Sequence, residues 1–247
     1  MKTKHFSPSR LSLLVTSALL LGACAPTVTV TTSKDPVTVV QNFYEIINTK
    51  DVEKAMTLTA DNYVMNDPSG TYDKSAAVVQ WQAVVDAGRT FKQTDLVDTG
   101  DGRVTSCYEV IENGTAIDKG CGNVTRVRDG KIVFDGLLPA EGIWIVQQYY
   151  ALINAGDLEA SMSFVADDVK CRGACYLTGK AAYQAYIQGI INGGGRKELR
   201  DFTVDDDKVT YYWAFYKKNG RDVVISGTEF MQFKDGKIIL IESDFFN

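Results

Sequence analysis

The chain has 247 residues, 31 acidic and 26 basic side chains, a formal net charge of −5 and a single histidine, His5. This acidic balance argues against a nucleic-acid partner. A lone histidine so close to the N-terminus leaves any processed form without an imidazole for a metal site, a proton shuttle or a catalytic dyad.

Lys2, Lys4 and Arg10 precede an apolar run, Leu11 to Leu21, that is too short to span a bilayer and is followed by small residues. This is the pattern of an export signal. Leu21-Gly22-Ala23-Cys24 resembles a bacterial lipobox, which implies cleavage before Cys24 and acylation of its thiol; the alternative is ordinary cleavage after Ala25. Residues 1–23 are then a lipoprotein signal peptide, and residues 24–34, Thr-rich and without apolar periodicity, a lipidated Cys with a flexible tether. Loss of Met1 to Ala23 removes three basic and no acidic residues, so the mature charge is 23 − 31 = −8. No basic block is present to dock on anionic lipid heads, so acylated Cys24 is the expected contact with the bilayer. The expected location is extracytoplasmic and membrane-anchored. In a cell with two membranes Ala25, rather than Asp, after the acylated Cys implies the outer membrane; otherwise it is the outer face of the cell membrane.

Beyond the tether the sequence repeats itself 106 residues apart. Val40, Gln41, Tyr44, Ile47, Asn48, Asp51, Glu53, Met56, Ala60 and Asp61 recur as Val146, Gln147, Tyr150, Ile153, Asn154, Asp157, Glu159, Met162, Ala166 and Asp167, and Asp129-Gly130-Lys131-Ile132 as Asp235-Gly236-Lys237-Ile238. A period of this size is that of a domain, which predicts a duplication with domains at 35–140 and 141–247.

Within the first repeat, Val37, Val40, Phe43, Tyr44, Ile46 and Ile47 lie at helical spacing, and Asp51 restarts the chain as an N-cap for a second short helix. A strand over Asn62 to Asn66 stops at Asp67-Pro68-Ser69-Gly70, and a third helix runs from Lys74 to Ala87 with Gly88 after it. Asp101-Gly102, Asn113-Gly114 and Asp129-Gly130 supply the positive φ of tight hairpins and divide the remainder into four antiparallel strands. The second repeat follows the same plan, with Asp207-Lys208 at its first turn. Each unit is thus α+β: three helices packed on a curved antiparallel sheet.

Four cysteines remain after Cys24, and export argues for disulfides. The simplest pairing is within repeats, Cys107 with Cys121 and Cys171 with Cys175. The first of these needs a bulge or a three-residue turn at Asn113-Gly114. A zinc site is the rival, disfavoured by the long gap between Cys107 and Cys121.

The element order, the Tyr-x-x-(Ile/Leu)-Ile-Asn-x-x-Asp-(Val/Leu)-Glu-x-x-Met pattern at Tyr44 and Tyr150, and Asp-Gly-Lys-Ile before the last strand resemble the nuclear transport factor 2-like superfamily, close to its SnoaL-like branch. The resemblance implies two tandem cone-shaped barrels, each with a pocket between helices and sheet. It also implies isomerase, dehydratase, epoxide hydrolase or cyclase chemistry in some members and binding alone in others. Those resembling ketosteroid isomerases use a carboxylate base with Tyr and a protonated acid, without histidine, metal or cofactor.

Residues of suitable type here are Glu229, Tyr150, Asp244 and Asp67, with Tyr44, Glu109 and Glu242 behind them. Glu229 shares an alternating stretch with Val223, Ile225, Gly227, Met231 and Phe233, which aims it at the pocket or leaves it as a charge at the rim. Of the 26 Phe, Trp and Tyr residues 17 follow Ala140. They suit either a ligand cup, with Tyr150, Tyr176, Trp213, Phe215 and Glu229 in its wall, or packing between domains or in a homodimer. The expected function is a binding module for a small apolar or amphipathic ligand or a protein partner. The alternative is a cofactor-independent lyase or isomerase using Asp/Glu and Tyr.

Overall fold

A computed structural model describes residues 33–217, 220 and 222–246. The expected signal, Cys24 and most of the expected tether lie outside these residues, as does Asn219.

The first domain runs α1 (Pro36–Asn48), α2 (Val52–Met56), β1 (Thr59–Asp67), β2 (Gly70–Asp73), α3 (Lys74–Asp86), β3 (Arg89–Asp98), β4 (Arg103–Glu112), β5 (Thr115–Arg128) and β6 (Lys131–Leu137). The second repeats it as α4 (Leu138–Ala155), α5 (Leu158–Met162), β7 (Val165–Arg172), β8 (Leu177–Thr178), α6 (Lys180–Gly193), β9 (Arg196–Asp205), β10 (Lys208–Tyr216), β11 (Val223–Lys234) and β12 (Lys237–Phe246). The boundary expected at 140/141 falls in the first turn of α4, which begins directly after β6.

The duplicated polar residues perform local structural work. Asp51 and Asp157 accept the backbone N–H of Lys54 and Ala160, both at 3.0 Å, which satisfies an otherwise unpaired donor at each helix start. Asn48 clasps Phe91 through both its amide groups, at 2.7 Å each, and Asn154 clasps Lys197 in the same way at 2.8 and 2.9 Å. Each first helix is thereby pinned to the outermost strand of its sheet. Phe43, Ile46 and Ile47 are fully buried on α1, each contributing roughly 1.5–3 kcal/mol by leaving water.

The sheets have six strands each, in the orders β2-β1-β6-β5-β4-β3 and β8-β7-β12-β11-β10-β9. They are mixed, which corrects the antiparallel expectation: β1 lies parallel to β6 and β7 to β12. The chain leaves β1 through the β2 hairpin and α3, crosses to the far edge, and meanders back so that its last strand returns beside β1 running the same way. Short strands β2 and β8 were not foreseen; each is only a brief pairing after the turn that ends the preceding strand.

Both disulfides lie within a repeat, Cys107–Cys121 and Cys171–Cys175. Register slips by one residue between Val110 and Ile111, and this bulge sets Cys107 directly opposite Cys121. Cys121 is exposed, whereas Cys171 and Cys175 are buried. Under native conditions a mild reductant should therefore open Cys107–Cys121 first, because exchange requires access to the sulfur. Alkylation followed by peptide mapping reads the order; early labelling of Cys171 would overturn it.

The domains share a core. Phe134 of β6 packs 5.3 Å from Trp144, which meets Phe164 at 5.9 Å. At the centre of this junction Glu141, in the first turn of α4 and 3% exposed, accepts Arg103 Nε and Nη2, each at 2.9 Å, and Arg126 at 2.7 Å. Arg126 Nη2 also donates to Gly236 O at 2.9 Å.

Candidate functional site

Each domain has a cavity between its helices and the concave face of its sheet, and in each the duplicated tyrosine of the first helix donates to a buried carboxylate. The carboxylates come from different strands. In the first domain Tyr44 Oη donates to Asp135 Oδ2 at 2.8 Å, while Thr125 Oγ1 and Asn123 Nδ2 donate to Oδ1 at 2.8 and 3.1 Å. Asp135 is 4% exposed and lines a cavity of about 240 Å³ with Trp81, Phe91 and Tyr108. Burial pushes its carboxyl above the ordinary aspartate range, outweighing the three donors that favour the anion.

In the second domain the acid is Glu229 on β11, 4% exposed. Tyr150 and Tyr211 hydroxyls donate to Oε1, the Ser243 hydroxyl to Oε2, and Lys197 Nζ lies 3.0 Å from both oxygens. Lys197 also donates to Tyr150 Oη at 2.8 Å and sits 4.4 Å from the ring centres of Tyr150 and Trp213. Burial would raise the Glu229 carboxyl, but the Lys197 charge and the Ser243, Tyr150 and Tyr211 hydroxyls together hold it below its usual range. The cavity above it is about 350 Å³, walled by Tyr183, Tyr186, Ile187, Trp213, Phe215 and Phe245.

Comparing the repeats locates the difference. At the 106-residue offset Lys197 replaces Phe91, Glu229 replaces Asn123, and Ile241 replaces Asp135. Cation and anion enter the second domain together as the other acid leaves. Asp135 and Lys197 were missed on sequence reading, and the available signal was this one: positions charged in one copy and uncharged in the other. Ser243 was missed too, with nothing local to mark it, and Tyr211 was seen only as one of the aromatics that follow Ala140.

Of the residues singled out, Glu229, Tyr150, Trp213 and Phe215 line the second cavity. Tyr176 does not: it is 86% exposed, on the loop between β7 and β8. Asp244 is exposed, because strand alternation gives its neighbours Ser243 and Phe245 to the cavity. Asp67 reaches the first cavity, but its Oδ1 caps the turn by accepting Ser69 N–H at 2.7 Å and Gly70 N–H at 3.1 Å. Glu109 and Glu242 pair with Lys92 and Arg172 at 3.5 and 3.9 Å. The aromatic excess is divided between the cup and the domain junction, where Trp144 and Phe164 lie.

The fold and these cups define a fused pair of cone-shaped α+β domains, each closed at the bottom by a carboxylate and a helical tyrosine. The chain belongs to the SnoaL-like domain family, which matches it twice, at residues 40–134 and 146–241. Solved structures similar to it include a proposed ketosteroid isomerase from Kribbella flavida DSM 17836, 16% identical, covering 44% of this chain and 80% of that one at a TM-score of 0.40. A nuclear transport factor 2-like protein of unknown function from Mesorhizobium loti is 17% identical over 44% and 93% of the two chains at 0.40. A proposed polyketide cyclase from Xanthomonas campestris pv. campestris is 25% identical over 44% and 92% at 0.36. No curated protein matches the chain significantly.

Proposed function

We infer that this is a surface-tethered, extracytoplasmic binding protein whose second domain holds a small apolar or amphipathic molecule. The observation that carries the reading is the saturation of Glu229. Three hydroxyls and an ammonium occupy its two oxygens. A general base needs a free lone pair facing the substrate and a pKa near the working pH. Glu229 has neither, so it serves as the polar floor of an aromatic cup. Trp213 presents its ring to the cup, while its Nε1 is buried away from solvent without an acceptor among the described residues.

Quenching or shift of Trp213 emission by flat apolar probes such as steroids tests the cup. The response should vanish in Trp213→Phe and survive Trp144→Phe; probes that bind the parent and Trp213→Phe alike would place the ligand elsewhere. Tethering is checked by the intact mass of membrane-extracted protein, expected to begin at an acylated Cys24, and a soluble product starting at Pro26 would refute it.

Catalysis is the second reading, and it belongs to the first domain. Among the described residues Asp135 accepts hydrogen bonds from neutral donors only, and it lines the first cavity beside Tyr44. A carboxyl raised by burial is a better proton acceptor than an ordinary aspartate, as a cofactor-independent lyase or isomerase requires. If that domain turns over a substrate, Asp135→Asn should cost about 10² to 10⁴ in rate, with Glu229→Gln nearly silent. The reverse order would return catalysis to the second cup.

A further inference from the structure

We propose that the seam between the two domains binds an oxyanion of the phosphate class, held chiefly by Arg128 and Lys180. A cavity of about 360 Å³ opens where the end of β5 meets α5, β12 and the start of α6. Four cations line it, Arg126, Arg128, Lys180 and Lys237, against one carboxylate, Asp101.

Their engagement differs. Arg126 is committed to Glu141 and Gly236 O, and Lys237 to Asp101 and, at 2.7 Å, Ser163 O. Among the described residues Lys180 has only a 3.8 Å pairing with the solvated Asp167. Arg128 has no hydrogen bond or ion pair among the described residues; its guanidinium lies 4.8 Å over the Phe164 ring. A guanidinium supported on an aromatic face keeps its N–H edges free, and that edge matches two oxygens of a phosphate at once. The two lysines alone would not argue for a ligand, because in the first domain Lys74 pairs with Asp61 and Lys131 donates to Thr57 O as Lys180 pairs with Asp167 and Lys237 donates to Ser163 O. What the seam adds is a pair of arginines carried over from the neighbouring domain.

A second observation bears on the source of the anion. A Cβ on Gly130, two residues after Arg128, would lie 2.9 Å from Ser33 O, so the chain emerging from the tether passes this hairpin. Ser33 is nine residue steps from Cys24, a reach of about 30 Å at full extension. Acylation of Cys24 would therefore present this end of the molecule to the bilayer, and a phospholipid phosphate is the anion closest at hand. That preference rests on the tethering reading; the anion site itself does not.

The test is calorimetric titration of the full chain with inorganic phosphate and, separately, with glycerophosphoglycerol, the water-soluble headgroup of an anionic lipid. Both should bind at low ionic strength and weaken with salt. Arg128→Gln should lose roughly tenfold or more in affinity, as expected for charge-assisted hydrogen bonds, with Arg128→Lys in between. Asp101→Asn removes the competing carboxylate and should tighten binding, a gain that a merely misfolded variant does not show. Stronger binding of the headgroup assigns the site to lipid, and stronger binding of phosphate to a free anion. No heat with either probe at 10 mM (about a hundredfold above a 0.1 mM site), or equal affinity in the parent and Arg128→Gln, overturns the proposal.

Discussion

Lys197→Met should destabilise the second domain by about 3–5 kcal/mol at neutral pH, the range found when one partner of a buried ion pair is removed. Glu229 would remain 4% exposed with a charge that only hydroxyls offset. The pH dependence fixes the cause. In the parent the folded Glu229 carboxyl lies below its unfolded value, so its contribution is present above the unfolded pKa and is lost as pH falls through the folded one. Without Lys197, burial dominates and the folded value moves up. The deficit of the variant should then be small in acid and grow as pH rises through the new folded pKa. Urea denaturation at several pH values measures it. The double variant Lys197→Met with Glu229→Gln should recover much of the loss, the coupling expected of residues in one network. A single variant costing under about 1 kcal/mol at neutral pH would mean that water reaches the pair and that Glu229 is free to accept a proton.

Glu141→Gln is the second large effect, also about 3–5 kcal/mol, because Arg103 and Arg126 have side chains only 7% and 5% exposed and would lose their shared carboxylate. Its signature differs from that of Lys197. Glu141 sits where the two domains share a core, between β4, β5 and α4. The parent should unfold in one calorimetric transition and the variant in two, as the domains uncouple. Replacing all three charges with Met and Leu should restore a single transition, since apolar groups of similar volume can substitute for a buried triad. A variant that still melts as one unit would show that Phe134, Trp144 and Phe164 suffice to join the domains.

Much of this architecture is legible in the primary structure, for a local reason. Helix caps at Asp51 and Asp157, hairpins at Asp129-Gly130 and Asp235-Gly236, and the apolar stripe through Phe43 and Ile47 each depend on residues close together in the chain. The duplication then displays each of them twice. Glu229 was legible in part: the period-two alternation that a strand with one buried face imposes set it among apolar residues, and left pocket and rim both open.

Other features depend on partners far apart in sequence. Lys197 gives no local sign of function; it matters because Asn154 clasps its backbone and strand β11 brings Glu229 against its ammonium. Asp135 reads as one acid in an apolar strand, and only Tyr44 of α1 with Thr125 and Asn123 of β5, converging on it from two other elements, make it a buried carboxyl. Arg126, Arg128, Lys180 and Lys237 form no basic block in the chain and a cationic seam in the fold. Sequence determined the two copies, their elements and the turns between them, because propensity, capping and alternation act over a few residues. Tertiary structure alone decided which charges meet, because burial and ion pairing are set by packing across the sheets and between the domains.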